Sequence, residues 1–187
     1  MISVNEKAKE RLWSLLLSGS YIDCLKLART IVAVQPENFN ARMFEGVSLL
    51  ELKDYDGAIS ALDECLRLRP DFSPALDSRA EAHFYKGDYD KALADIEKFL
   101  GYMENANSYG LASVCFYKKG ERDRAYEYID LAIKISEKDK HSFCIQKANF
   151  LESDGYIKEA LEYYKTGLEK MPEDQEIKNK IRELEKT

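Results

Sequence analysis

The residues best suited to chemistry in this 187-residue chain are two histidines, four cysteines and a few closely spaced carboxylates. His141 and Cys144 lie three apart, a spacing that puts two metal ligands on one helix face, but no further ligand falls in phase with them. Cys24, Cys65, Cys115 and Cys144 are far apart and form no CxxC pair, so they read as small buried hydrophobes that fit a reducing compartment. The carboxylate pairs Glu51/Asp54 and Asp88/Asp90 read as solvated surface or helix caps. No Gly-rich phosphate loop, G-x-S-x-G elbow or H-E-x-x-H helix is present. The expectation is a non-enzyme with no catalytic residue, metal or cofactor.

Twenty-eight basic residues stand against 34 acidic ones, for a net charge of −6. That balance disfavours a general nucleic-acid binder, which needs a basic field to displace counterions from phosphates. With 45% hydrophobic and 33% charged residues, the composition is that of a folded, soluble chain. No apolar run approaches the ~20 residues that span a bilayer. The best candidate, Leu12 to Leu17, is short, follows a charged stretch and lacks a signal-peptide cleavage site. A soluble, cytoplasmic protein without membrane insertion is expected.

The elements that carry these residues repeat. Tyr21, Tyr55 and Tyr89 recur every 34 residues, each three before a small residue: Cys24, Ala58 and Ala92. Ala125 and Ala160 continue the small position, and Pro36, Pro70 and Pro172 keep the same phase. Each unit carries two apolar stripes at helical spacing with a tight turn between them. In the second unit Ala41, Gly46, Leu49 and Leu50 form the first stripe, and Ala58, Ile59, Leu62 and Leu66 lie on the second. Gly19, Gly87, Gly120 and Gly155 fall at the turn, where a residue past a helix end commonly takes a positive φ. Proline ends the second helix, and the small residues allow close helix crossings. His83 falls where other units carry Leu15, Leu49, Phe116 and Leu151, so it reads as a semi-buried packing residue.

The stretch Lys86-Gly87-Asp88-Tyr89-Asp90-Lys91-Ala92-Leu93, echoed by Lys53-Asp54-Tyr55-Asp56-Gly57-Ala58-Ile59, resembles the tetratricopeptide repeat family. Five units at about 5–38, 39–72, 73–105, 106–140 and 141–172 are expected, spanning 5–172, with a capping helix over 173–187. The resemblance implies an all-α fold, a right-handed superhelical α-solenoid of antiparallel helix pairs. It also implies that ligands lie along a concave groove lined by the first helix of each unit.

Carried onto this chain, the family's contact positions place Lys9, Trp13, Met43, Val47, Leu50, Asp77, Glu81, Phe84, Tyr85, Val114, Tyr117, Ile145 and Asn149 in that groove. An apolar strip of this kind suggests a partner protein: a peptide with apolar anchors and a basic residue opposite Asp77 and Glu81. The alternative for any one residue is packing against the next unit. Self-association through dimers or filaments, and a subunit role in a larger complex, also remain open. The family's carboxylate-clamp chaperone binding is not expected, because Lys9 alone matches its two lysines, two asparagines and arginine.

Three departures stand out. The third unit ends in Gly101-Tyr102-Met103-Glu104-Asn105 without proline, which is expected to loosen or bend the stack near residue 103. The fourth has Arg122 in place of tyrosine and ends in Glu137-Lys138-Asp139-Lys140. Ile177, Ile181 and Leu184 make the capping stripe, with Asp174 as its N-cap, whereas the first unit is expected to have no equivalent helix, which leaves its outer face exposed or meeting a partner.

Overall fold

The computed structural model describes residues 4–136 and 139–186. Glu137 and Lys138, half of the expected end of the fourth unit, lie outside the described residues. Among those described the chain is eleven α-helices without a strand: α1 (Val4–Leu17), α2 (Tyr21–Val34), α3 (Phe39–Glu51), α4 (Tyr55–Leu68), α5 (Ser73–Lys86), α6 (Tyr89–Leu100), α7 (Ala106–Lys119), α8 (Arg122–Ile135), α9 (Lys140–Ser153), α10 (Ile157–Lys170) and α11 (Gln175–Leu184). The chain divides after Met103 into two compact units, α1–α6 and α7–α11. That boundary falls in the segment where the repeat loses its proline.

Local chemistry sets the helix ends. The side chains of Asn38, Asp54, Asn105 and Asp174 accept a hydrogen bond from the backbone N–H three residues on, each at 3.0 Å, and so satisfy an otherwise orphaned donor. Between the helices of each pair the chain turns through a left-handed residue. Gly19, Gly87, Gly120 and Gly155 supply it with φ between 72° and 87°, and in the second pair Lys53 does so at φ 63°. The closing bonds are the same in both versions: the N–H of Asp54 reaches the Leu49 carbonyl and that of Asp88 the His83 carbonyl, each at 2.9 Å. Lys53 holds this geometry at a steric cost that glycine would not carry.

The small residues Cys24, Ala58, Ala92, Ala125 and Ala160 are fully buried where paired helices cross. Around them the first unit has a core built from Leu12, Phe44, Leu62, Cys65, Leu76 and Phe99. In the second unit Ala148, Leu151, Tyr164, Ile177, Ile181 and Leu184 bring α11 onto α10.

A charge register runs alongside these cores. One position of the second helix in a repeat meets one position of the first helix in the next: Arg29 with Glu45 at 3.1 Å, Asp63 with Arg79 at 2.5 Å, and Asp130 with Lys147 at 2.5 Å. Arg79 also meets Asp95 at 2.7 Å. At the same register α7 carries the buried Ala112, which offers no charge.

The first helix differs from α3 on its outer side. At four positions where α3 buries Ala41, Phe44, Glu45 and Ser48, α1 carries Lys7, Glu10, Arg11 and Ser14, all exposed. The outer face of α1 is therefore polar.

Candidate functional site

Within the first unit the inner positions of α1, α3 and α5 form an aromatic and acidic face. Trp13 is 42% exposed and meets the buried Phe44 edge-on at 5.1 Å. Tyr85, 53% exposed, stacks on Tyr55 of α4 at 5.2 Å and touches Phe84 at 5.4 Å. Around that stack lie Glu51, Asp77 and Glu81. Partial burial, then the negative charges of Asp77 and Glu51, push the Glu81 carboxyl up from its ordinary range, and a hydrogen bond with Tyr85 draws it partly back. Glu51 also acts on Tyr21, whose hydroxyl is pushed up by that charge and by burial. A cation brought to this face would relieve repulsion among three carboxylates.

Two expected groove residues do not reach the surface. Met43 packs with Leu12, Phe44 and Leu76, and Leu50 with Leu49, Ala58 and Ala82, so both belong to the core. The cause is that α3 is covered by α1 on one side and α5 on the other. Val47 is half-buried against the same core. Lys9 is exposed, but lines a separate cleft of about 260 Å³ with Glu6, Asn38 and Asn40.

In the second unit the expected residues fall into two places, with Val114 half-buried on α7. Ile145 and Asn149 line a cleft of about 510 Å³ between α9 and α11, floored by Tyr164 and edged by Asn179, Lys180 and Glu183. The Tyr164 hydroxyl lies within hydrogen-bond distance of both Asn149, at 2.5 Å, and Glu152, at 2.8 Å, and Lys180 pairs with Glu152 at 2.6 Å. Tyr117 instead stacks on Phe150 at 4.0 Å beneath the Arg122 guanidinium, 3.7 Å from its ring centre. Its hydroxyl donates to Asp154 at 2.8 Å, as do Tyr126 at 2.8 Å and Arg122 at 2.9 Å. Burial works against the Asp154 charge, but the two hydroxyls and Arg122 hold its carboxyl below the ordinary range. This network explains the replacement of tyrosine by Arg122 in the fourth repeat.

The groups first considered for chemistry have ordinary structural settings. The four cysteines are buried free thiols, and burial pushes those of Cys65 and Cys115 up to about 12. His83 is buried with its Nδ1 lacking a hydrogen-bond partner, and burial lowers its basicity. His141 contacts Ser142 at 3.2 Å, while Cys144 is buried. Among the described residues no group of three or more His, Cys, Asp or Glu side chains is placed to hold a metal ion. None of the described helices is long and apolar enough to cross a membrane.

Reading the sequence by inner-face positions misses Tyr21, Tyr55, Arg122 and Asp154. They work across the seam between repeats: Tyr21 with Glu51, Tyr55 with Tyr85, Arg122 with Asp154. The position that carries Tyr21, Tyr55 and Arg122 was the available signal, since at these three it reaches the following repeat.

This arrangement of paired helices is an all-α helical repeat solenoid, and comparison with known proteins gives its family. The tetratricopeptide repeat model matches residues 15–71 and 78–140, and the chain belongs to that family. A TPR repeat-containing protein, YpiA of Bacillus subtilis (strain 168), is 24% identical over 167 residues, covering 89% of this chain and 40% of YpiA. The chain thus spans well under half the length of that relative. Among solved structures, MamA from Desulfovibrio magneticus RS-1 superposes with a TM-score of 0.80 at 17% identity, covering 90% of this chain and 95% of its own. YrrB, described as a TPR protein with an unusual peptide-binding site, superposes at 0.66 with 19% identity, covering 80% and 77%. At these identities the likeness is one of fold. Proteins of this fold serve in general as protein–protein interaction modules.

Proposed function

We propose that the chain is a non-catalytic adaptor that docks a peptide segment of a partner protein on the inner face of its first unit. The observation that carries this reading is the solvent-facing Tyr55–Tyr85 stack set among Glu51, Asp77 and Glu81. Tyrosine and tryptophan are frequent interface anchors, and Trp13 and Tyr85 present apolar area that water solvates poorly. The carboxylates favour a lysine or arginine in the same segment. In the second unit Ile145 and Asn149 line the α9–α11 cleft, whereas Tyr117 is held by its own network.

The unusual peptide-binding site of YrrB supports this reading by analogy of fold. The polar outer face of α1 disfavours stacking of a further repeat on that helix. A subunit role in a larger complex is compatible with the adaptor reading. Free buried thiols favour a reducing, cytoplasmic setting.

The test is affinity capture from native lysate with the wild type and the Trp13→Ala/Tyr85→Ala variant, both checked for equal melting temperature. Met43 is left unchanged because its replacement would open the core. A partner retained by the wild type and lost by the variant supports the reading. Identical capture by both, or recovery of the chain alone, overturns it.

A further inference from the structure

The edge of the first unit departs from its own repeat. Two positions flank the turn between paired helices, one at the end of the first helix and one in the first turn of the second. In the later repeats the second-helix position is Asp56, Asp90, Asp123 or Lys158, and in the first repeat it is Ile22. The first-helix position is Ser18, Lys86, Lys119 or Asp154 elsewhere, and Leu52 in the second repeat. Across the seam between the second and third repeats these positions form the ion pair Asp56–Lys86. Across the seam between the first and second repeats they are Ile22 and Leu52, 58% and 40% exposed. They stand on either side of an open cleft of about 310 Å³, lined also by Gly19, Ser20, Tyr21 and Asp23.

An ion pair at a wet seam tolerates water; two branched alkyl groups there gain nothing from it. The cleft adjoins the acidic face through Tyr21, whose hydroxyl interacts with Glu51, and Glu51 in turn acts on Glu81. Asp23 on the cleft wall is answered by Lys26 at 3.5 Å, so the negative charge toward a ligand comes from the Glu51 side. An apolar slot beside a carboxylate is complementary to two neighbouring side chains of opposite character.

We propose that this cleft seats one bulky apolar side chain of the docked peptide, with an adjacent lysine or arginine of the same peptide against Glu51 and Glu81. The assignment rests on the peptide-docking reading above and adds the place and type of the anchor. It lies outside the inner-face positions from which that reading starts.

The experiment selects a phage-displayed library of random twelve-residue peptides against the whole chain, then compares the recovered peptides on two variants. Ile22→Asp/Leu52→Lys restores the charged pair that the neighbouring seam carries, and should leave the melting curve close to wild type because both positions face water. The expected result is a recovered motif pairing Leu, Ile, Phe or Met with Lys or Arg, with binding weakened about tenfold or more by that variant. Binding should also fall with added salt. Peptides that lack the basic residue, or bind Ile22→Asp/Leu52→Lys as well as wild type, overturn the cleft assignment. If such peptides still lose affinity for Trp13→Ala/Tyr85→Ala, the inner-face reading stands without the cleft. If neither variant affects them, both readings fall, and a selection that recovers no binder also overturns the cleft.

Discussion

The seam between the second and third repeats and the seam between the fourth and fifth use one register for opposite ends. In the first, Tyr55 meets Tyr85 as an open stack, with carboxylates nearby that repel one another. In the second, the tyrosine position is Arg122, which covers Tyr117 and joins it and Tyr126 on a single acceptor, Asp154. One seam satisfies itself internally and the other leaves apolar area and negative charge facing outward. A repeat protein can thus keep one backbone plan and allocate stability to one seam and recognition to another.

The sharpest way to break this contrast is Asp154→Ala. It removes the acceptor shared by two hydroxyls and a guanidinium, of which Tyr117 keeps the Phe150 carbonyl and Arg122 the Tyr117 carbonyl, and should cost about 2–3 kcal/mol, read by denaturant unfolding, with faster hydrogen exchange concentrated in α7–α10. A loss no larger than that of an ordinary surface substitution would show the network to be incidental. Where the two units should behave alike is at the close crossings. Ala92→Leu and Ala125→Leu each overpack a fully buried position and should cost about 2 kcal/mol. A melting curve matching wild type for either would refute the crossing assigned to it.

His83→Leu should stabilise the chain by about 1 kcal/mol near neutral pH, because it removes a buried nitrogen without a hydrogen-bond partner, Asp88 lying 3.7 Å away. Burial lowers the pKa of His83 below 6.5 in the folded chain, so the unfolded chain binds the proton more readily. The stability of the wild type is accordingly full above that value and declines as pH falls through it, and the variant should lack this component of the decline when melted at stepped pH. The smallest effect concerns the open seam. The raised pKa of Glu81 means that the folded chain holds its proton longer than the unfolded one, so stability falls as pH rises from the ordinary carboxylate range through the raised value. Glu81→Gln should gain about 0.5 kcal/mol or less at neutral pH and nothing in acid, since the side chain is only partly buried and water screens its charge. A gain that persists in acid would point to a cause other than charge.

The fold was legible because its determinants are local and periodic. A small residue every 33 to 35 positions marks each helix crossing, and glycine marks four of the five turns. At Lys53 the repeat marked the turn but not its positive φ, because a non-glycine residue carries no sign of it. The site was less legible for two physical reasons. Counting inner positions treats each first helix as equally exposed, whereas α3 lies between two others and loses Met43 and Leu50 to the core. The Tyr55–Tyr85 pair and the Arg122–Asp154 pair are each formed by residues about 30 positions apart, and the recurring position marks one member without naming its partner. The polar outer face of α1 was legible in principle, since Lys7, Glu10, Arg11 and Ser14 stand in register with Ala41, Phe44, Glu45 and Ser48.

For protein engineering, that face sets a rule of construction. A consensus repeat grafted so as to stack on α1 would bring its apolar side against two cations, a carboxylate and a hydroxyl, and would be held away from the array. Rewriting Lys7 to Ala and Glu10 to Phe, and placing an acid opposite Arg11 in the incoming helix, would reproduce the interlock that α3 already presents to α2. Lengthening the array is therefore a matter of editing a few addresses on one helix, with the rest of the scaffold left as it is.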